Sequence, residues 1–303
     1  MPNRPQAESP PETVPFQLRA ARLGYKVLGG IAPGLTARWA TAHFLQSRSR
    51  GVRRSHGLPL GARKFRLRGN GAETYGYMWG ASGPIVLLVH GWGADSNAMF
   101  SMIKPLAEQG FRVAAFDAPG HGLSPEKSTT MTGFVQRVGD VLDTLGDVRA
   151  VVAHSLGGIA AVAAASRRAG RGETLPDRMV LLSAPCNLPT VVDIWAKFLH
   201  VGPRTVAGMT GELNRLNGVP PAHWDIAELG QQLAGVPILV VHDEDDQLVP
   251  FAEAEKIAAA LSGVGVEKTA GLGHRRILFA PQVHKSIAAF LAPVGEASAE
   301  RPD

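Results

Sequence analysis

"VVAHSLGGIAAVAAA" (151–165) passes from a β-branched stretch, through one serine and two glycines, into an alanine-rich segment. Val151 and Val152 read as the end of a buried strand, and the alanines are strong helix formers. Ser155 therefore sits on a sharp strand-to-helix turn. Such a turn strains its central residue and lifts the side chain off the end of the sheet, within reach of a substrate. A serine hydroxyl is a weak nucleophile unless a base removes its proton and a third group orients that base.

The rest of the chain offers both partners at strand ends. "VPILVVHDEDDQLVP" (236–250) puts Asp243, Glu244, Asp245 and Asp246 just past an apolar strand. "TAGLGHRRIL" (269–278) puts His274 in a glycine-flanked loop after the next strand. A metal site is not expected at the acidic loop, because no ligand-spaced histidines accompany it.

Around these segments the pattern alternates. Strands are expected near 85–89, 112–116, 148–153, 178–183, 237–241 and 265–269, with helices near 96–109, 131–146, 156–168, 251–262 and 276–291. Short connections between alternating elements imply a mostly parallel sheet covered on both faces, with its site at the carboxyl ends of the strands. "KFRLRGNGAETYGYMWG" (64–80) reads as an antiparallel hairpin turning at Asn70-Gly71. Between "VLLSAPCN" and "VPILVV" the chain is too long for one crossover helix. Residues 187–235 are expected to form a helical insertion, rich in large apolar groups such as Trp195, Phe198, Met209 and Trp224.

Four blocks together resemble the α/β-hydrolase superfamily over about residues 64–292: "HGWG" (90–93), "DAPGHGLS" (117–124), "AHSLGG" (153–158), and "HDEDDQLVP" (242–250) followed by "GLGH" (271–274). The resemblance implies an α/β-hydrolase fold with a small helical lid. It makes Ser155 the nucleophile and His274 the general base, and it places the acid at Asp246, four residues after His242. Asp245 and Asp243 stand as the alternatives. Backbone N–H groups can hold the developing oxyanion: one from Leu156 at the start of a helix, and a second, by resemblance, from Trp92. The elbow pattern G-x-S-x-G begins here with Ala153, the smallest departure that position allows.

The expected activity is hydrolysis of a carboxylic ester with a hydrophobic acyl or aryl group, through an acyl-enzyme and without metal or cofactor. Trp92, His154, Trp195, Phe198 and Met209 are the candidate substrate contacts. His90 and His121 are expected to hold loops, and His154 to pack beside the elbow without moving protons. The same triad also serves carbon–carbon, thioester, amide or perhydrolase chemistry, and a binding protein without turnover could keep the fold.

Composition sets bounds on partners and surroundings. The 303 residues are 45% hydrophobic and 19% charged, ordinary for a globular chain. The single cysteine, Cys186, excludes an internal disulfide and fits a reducing compartment, so a cytoplasmic protein is expected. Residues 1–70 hold 13 Lys/Arg against Glu8 and Glu12, a balance of +11 that leaves −6 for the remainder. Residues 1–60 thus read as a basic leader and helical arm, 61–293 as the hydrolase domain, and 294–303 as a disordered tail. Two arm helices split by "GGIAPG" are expected between Phe16 and Gln46. Phe16, Ala20, Leu23 and Val27 share one face, and Arg19, Arg22 and Lys26 another. Charge patterning favours an arm packed on the body with its arginines in water over a basic helix on an anionic membrane surface. "RSRGVRRSHG" (48–57) comes without an aromatic platform, so nucleic acid is not an expected partner.

Overall fold

The inner strand-forming runs of this sequence centre on apolar stretches such as IVLLV (85–89), AVVA (150–153) and ILVV (238–241), as strands buried on both faces require, while the outermost runs, RKFR (63–66) and VGVEKT (264–269), carry charge. In the computed structural model, which describes residues 15–46, 61–67 and 75–292, they assemble into one eight-stranded sheet. The strands are β1 (Arg63–Arg66), β2 (Tyr75–Trp79), β3 (Ile85–Val89), β4 (Arg112–Phe116), β5 (Val148–His154), β6 (Arg178–Leu182), β7 (Ile238–Asp243) and β8 (Val264–Thr269). Their order across the sheet is β1-β2-β4-β3-β5-β6-β7-β8. From β4 to β8 every pairing is parallel, and only the β1–β2 and β2–β4 pairs are antiparallel. The expected turn at Asn70-Gly71 lies outside the described residues.

Successive side chains of each strand point to opposite faces, and both faces are covered. Leu87, Val89, Val151, Ala153 and Leu181 pack under α4 (Met131–Leu145) and α5 (Leu156–Gly170). Val86, Leu88, Val152 and Leu182 pack on the other face, against Met99, Met102, α3 (Ile103–Glu108) and α11 (Pro281–Leu291). α9 (Ala252–Ala260) follows β7, and α10 (Gly273–Arg276) follows β8.

Between β6 and β7 the chain leaves the sheet for a helical insertion made of α6 (Leu188–Leu199), α7 (Pro203–Asn217) and α8 (Ile226–Leu229) with short 3₁₀ turns. Asn187 caps α6 by accepting the Thr190 N–H at 2.9 Å. The two ends of the insertion are stitched together: the Leu188 N–H donates to the Trp224 carbonyl at 2.9 Å, and the Ile226 N–H to the Cys186 carbonyl at 2.8 Å. Trp224, fully buried, anchors this base.

Ahead of the sheet lie α1 (Phe16–Ile31) and α2 (Pro33–Phe44). They break at Ala32 because a residue before proline is forced out of the α region. The arm packs on the insertion and the site, but not through the face that amphipathicity suggested. Tyr25, on the opposite side of α1 from Phe16, Leu23 and Val27, is the side chain that becomes buried. Residues 1–14, 47–60 and 293–303, which include most of the expected leader and tail, lie outside the described residues.

Candidate active site

β5 ends at His154 and α5 begins at Leu156, so Ser155 is the single residue between strand and helix. It takes φ 54° and ψ −131°, a left-handed conformation that a side chain adopts only under constraint. Two bonds hold it there. Its N–H donates to the Leu182 carbonyl at 2.8 Å, and its carbonyl accepts the Gly158 N–H at 2.8 Å. Close backbone approach explains the neighbouring glycines. A Cβ at Gly157 would sit 2.4 Å from the His90 carbonyl oxygen, and one at Gly91 would sit 3.0 Å from the Ser155 Cβ. Ala153, the departure from the elbow pattern, is fully buried between β3 and β6.

The ends of β7 and β8 bring the other two residues to this serine. His274 Nδ1 lies 2.7 Å from Asp246 Oδ2, and Nε2 lies 3.0 Å from Ser155 Oγ. A carboxylate can only accept, so the ring proton sits on Nδ1 and Nε2 is left to accept the serine proton. Asp246 is buried, and its other oxygen, Oδ1, accepts the Leu248 and Val249 N–H groups at 2.8 and 2.9 Å. Burial alone would raise its pKa. The bond to and charge of His274, with the two N–H groups, outweigh burial and hold the carboxyl below its ordinary value.

The alternative acids do not reach His274. Asp243 accepts from the Asp245, Leu272 and Gly273 N–H groups and from Thr269 Oγ1, and so ties down the loop that carries His274. Asp245 Oδ2 accepts the Gly271 N–H, and Glu244 pairs with Lys268 at 2.8 Å.

Leu156 is the first residue of α5, so its N–H has no acceptor in the helix's own ladder and sits at the positive end of the helix dipole. Trp92 follows Gly91, which abuts Ser155. The loop carrying Trp92 is held by two neutral histidines. His90 donates from Nδ1 to the Gly91 carbonyl at 2.7 Å and accepts the Ala118 N–H at 3.0 Å. His121 accepts the Gly93 N–H at 3.0 Å and donates to the Pro119 carbonyl at 2.9 Å. Burial, and then neighbouring His90, push His121 down to about 4. His154 donates from Nε2 to the His274 carbonyl at 2.8 Å, with its ring centroid 4.8 Å from that of His274. Burial, and then His274, push it down to about 3, so it stays neutral. The Cys186 thiol is buried and pushed up to about 12 by burial and then by Asp225, which makes it inert as a nucleophile.

Of the candidate substrate contacts, Trp92 and the arm meet at an apolar cavity beside the elbow. Phe44 and Leu45 line it from the end of α2, with Trp92, Leu156, Met131 and Leu188. The Trp92 indole stacks on the Phe44 ring at 6.2 Å, and its N–H donates to the Phe44 carbonyl at 3.2 Å. Trp195 lies edge-on to Tyr25 and Phe44, at 5.9 and 5.6 Å. The structure does not bring Phe198 and Met209 to the cavity. Phe198 is 47% exposed with Arg22 over its ring, and Met209 is fully buried in the core. Phe44 and Leu45 carried no local signal in the sequence: their partner Trp92 is 48 residues away from Phe44.

Comparison with known proteins agrees with this architecture. Residues 84–199 match the family described as alpha/beta hydrolase fold. The dihydrolipoyllysine-residue acetyltransferase component of the acetoin cleaving system of Cupriavidus necator is 31% identical over 245 residues, 70% of this chain. This chain spans only 61% of that relative's length. The bifunctional esterase/perhydrolase DCH of Acinetobacter calcoaceticus is 29% identical over 63% of this chain and 85% of its own length. A thermophilic esterase from Thermogutta terrifontis superposes with a TM-score of 0.57 at 18% identity, covering 76% of this chain and 98% of its own. With its elbow, sheet order and family match, the chain belongs to the α/β-hydrolase superfamily.

Proposed function

We propose that this protein is a serine hydrolase that cleaves a carboxylic ester through an acyl-enzyme formed on Ser155. The observation that carries this reading is the continuous hydrogen-bonded relay from Asp246 through His274 to Ser155 Oγ, set on a strained strand-to-helix turn. In the first half-reaction Oγ bonds to the ester carbonyl carbon as its proton passes to His274 Nε2. The N–H groups of Leu156 and Trp92 hold the oxyanion while Asp246 stays ionised against the imidazolium. His274 then gives the proton to the departing alkoxide, which leaves Ser155 acylated. In the second half-reaction His274 takes a proton from water, the hydroxyl attacks the acyl carbonyl, and Ser155 leaves with that proton restored.

The apolar cavity between Trp92, Leu156 and Met131 has room for about one water, so an acyl group enters there only as Phe44 and Leu45, its far wall, move back. This lining favours an apolar acyl or aryl group, and α6 and α7 act as a lid over it. The esterase activity for which the Acinetobacter and Thermogutta proteins are named falls in the same reaction class.

The test is labelling of purified protein with a fluorophosphonate probe, wild type beside Ser155→Ala, followed by p-nitrophenyl esters from acetate to palmitate. Labelling of wild type and none of the variant is the expected result, with the chain-length profile sizing the pocket. A folded wild type that neither labels nor turns over any ester would overturn the reading in favour of a non-catalytic binding protein.

A further inference from the structure

The arm wears its apolar stripe on the outside. Along α1, Phe16, Ala20, Leu23, Val27 and Ile31 recur every three or four residues and so share one side of the helix. That side faces away from the body: Phe16 is 83% exposed, Leu23 62% and Ile31 77%. Leu35, near the start of α2, is 70% exposed as well. The opposite side of α1 makes the contacts with the body. Tyr25 is buried there against Trp39, with ring centroids 4.2 Å apart, and Arg22 donates to the Phe198 carbonyl at 2.9 Å. A helix whose apolar face is turned outward along four turns, while its other face is already used, is built to be covered by something else.

Charge decides what covers it. Arg19 and Lys26 flank the stripe on α1 and Arg38 stands on α2, and no acidic residue occurs anywhere between Phe16 and Gln46. The chain that follows is basic too: residues 47–70 hold eight Lys/Arg and no acidic residue. A second copy laid stripe to stripe would set these cations against their own kind. An anionic lipid surface meets both requirements at once: the stripe enters the headgroup–acyl boundary while the cations meet phosphates. At 16 residues, α1 spans about 24 Å, too short to cross the hydrocarbon and suited to lying in the plane of the interface. Among the described residues no helix is long and apolar enough to cross a membrane.

We propose that α1 and the start of α2 dock this protein on an anionic bilayer surface, with Phe16, Leu23, Val27, Ile31 and Leu35 inserted and Arg19, Lys26 and Arg38 at headgroup level. This surface is independent of the reaction proposed for Ser155, and its test does not use turnover as the readout.

The experiment is flotation of the full chain with extruded vesicles of phosphatidylcholine, with and without phosphatidylglycerol, at low and high salt. Wild type is expected to float with the anionic vesicles, to float poorly with the neutral ones, and to be released by salt. Leu23→Glu/Ile31→Glu should bind the anionic vesicles at least roughly tenfold more weakly, and Arg19→Gln/Lys26→Gln several-fold more weakly with a flatter salt dependence. None of these four side chains reaches the site, so thermal melting should match wild type. A wild type that stays with the unbound fraction, or a Leu23→Glu/Ile31→Glu variant that floats as well as wild type, would overturn the proposal. So would a wild-type dimer, seen by sedimentation velocity without vesicle binding, that this variant splits into monomers.

Discussion

Replacing Asp246 with asparagine changes one atom and, by the geometry of its surroundings, moves a proton on a different residue. Oδ1 accepts two backbone N–H groups, from Leu248 and Val249, at 2.8 and 2.9 Å. The carbonyl oxygen of an asparagine must stay at that position, because an amide NH₂ there would face two buried donors and leave both unsatisfied, at about 1–3 kcal/mol each. The NH₂ then points at His274 Nδ1, which has to accept, and the ring proton shifts to Nε2. In that tautomer Nε2 faces Ser155 Oγ, 3.0 Å away, with a hydrogen and cannot take the serine's proton. The wrong tautomer in such a triad costs about 10,000-fold in turnover, equivalent to roughly 5.5 kcal/mol of barrier. The assay is kcat/KM on a p-nitrophenyl ester together with the rate of fluorophosphonate labelling, with circular dichroism melting to check the fold. Asp245→Asn, which alters only a bond to the Gly271 N–H, should stay within a few-fold of wild type. An Asp246→Asn enzyme that keeps more than about a tenth of wild-type activity, or an Asp245→Asn enzyme that falls as far as Asp246→Asn, would refute the tautomer argument.

Two other outcomes follow from the packing around the elbow. Gly157→Ala places a methyl 2.4 Å from the His90 carbonyl oxygen, so the elbow has to open; a loss of roughly 1–3 kcal/mol in chemical denaturation and a collapse of Ser155 labelling are expected, and unchanged labelling would contradict the close-approach argument. His121 and His154 both have folded pKa values depressed below an ordinary histidine, to about 4 and about 3, so the unfolded chain binds more protons between about pH 6.5 and those values. Their contribution is complete above about pH 6.5 and is lost as the pH falls, by about 2 kcal/mol per histidine at pH 5. Stability read from denaturation curves should fall accordingly from pH 7 to 5; burial depresses His242 as well, so His121→Gln should remove roughly a third of that pH slope, and a variant with the wild-type slope would show that His121 makes no such contribution.

The sheet and the elbow were legible in sequence because their causes are local. "IVLLV" is a strand-length apolar run bounded by Pro84 and Gly91, which reads as a strand buried on both faces, and a lone serine between β-branched residues and an alanine run reads as the turn between strand and helix. The acid was legible only through the spacing from His242. What selects Asp246 over Asp243 physically is the pair of N–H groups that turn its carboxylate toward His274, and those belong to a turn fold that spacing does not describe. The arm was legible as two helices, yet its orientation was not. An apolar stripe at helical spacing ordinarily turns toward the core, whereas here one tyrosine, stacked on Trp39 and bonded to His43, fixes the helix the other way round. The wall formed by Phe44 was invisible for a related reason, since a contact with Trp92 depends on where the whole arm lands. Phe198 and Met209 show the converse: large apolar residues in an insertion can as well serve its outer surface and its own core as a substrate pocket.

The seam between arm and core carries an optical consequence. Of the five tryptophans in the chain, Trp92 and Trp195 lie at this seam, stacked or edge-on to Phe44, while Trp39 belongs to the arm itself, stacked on Tyr25. The other two, Trp79 and Trp224, are buried away from it, in the sheet and at the base of the insertion. Intrinsic emission therefore doubles as a built-in gauge of arm position. Any event that lifts the arm from the cavity uncovers Trp92 and Trp195 together and shifts the spectrum to the red, while Trp39, carried on α2 and already 43% exposed, and the two distant indoles supply a steady background within the same molecule.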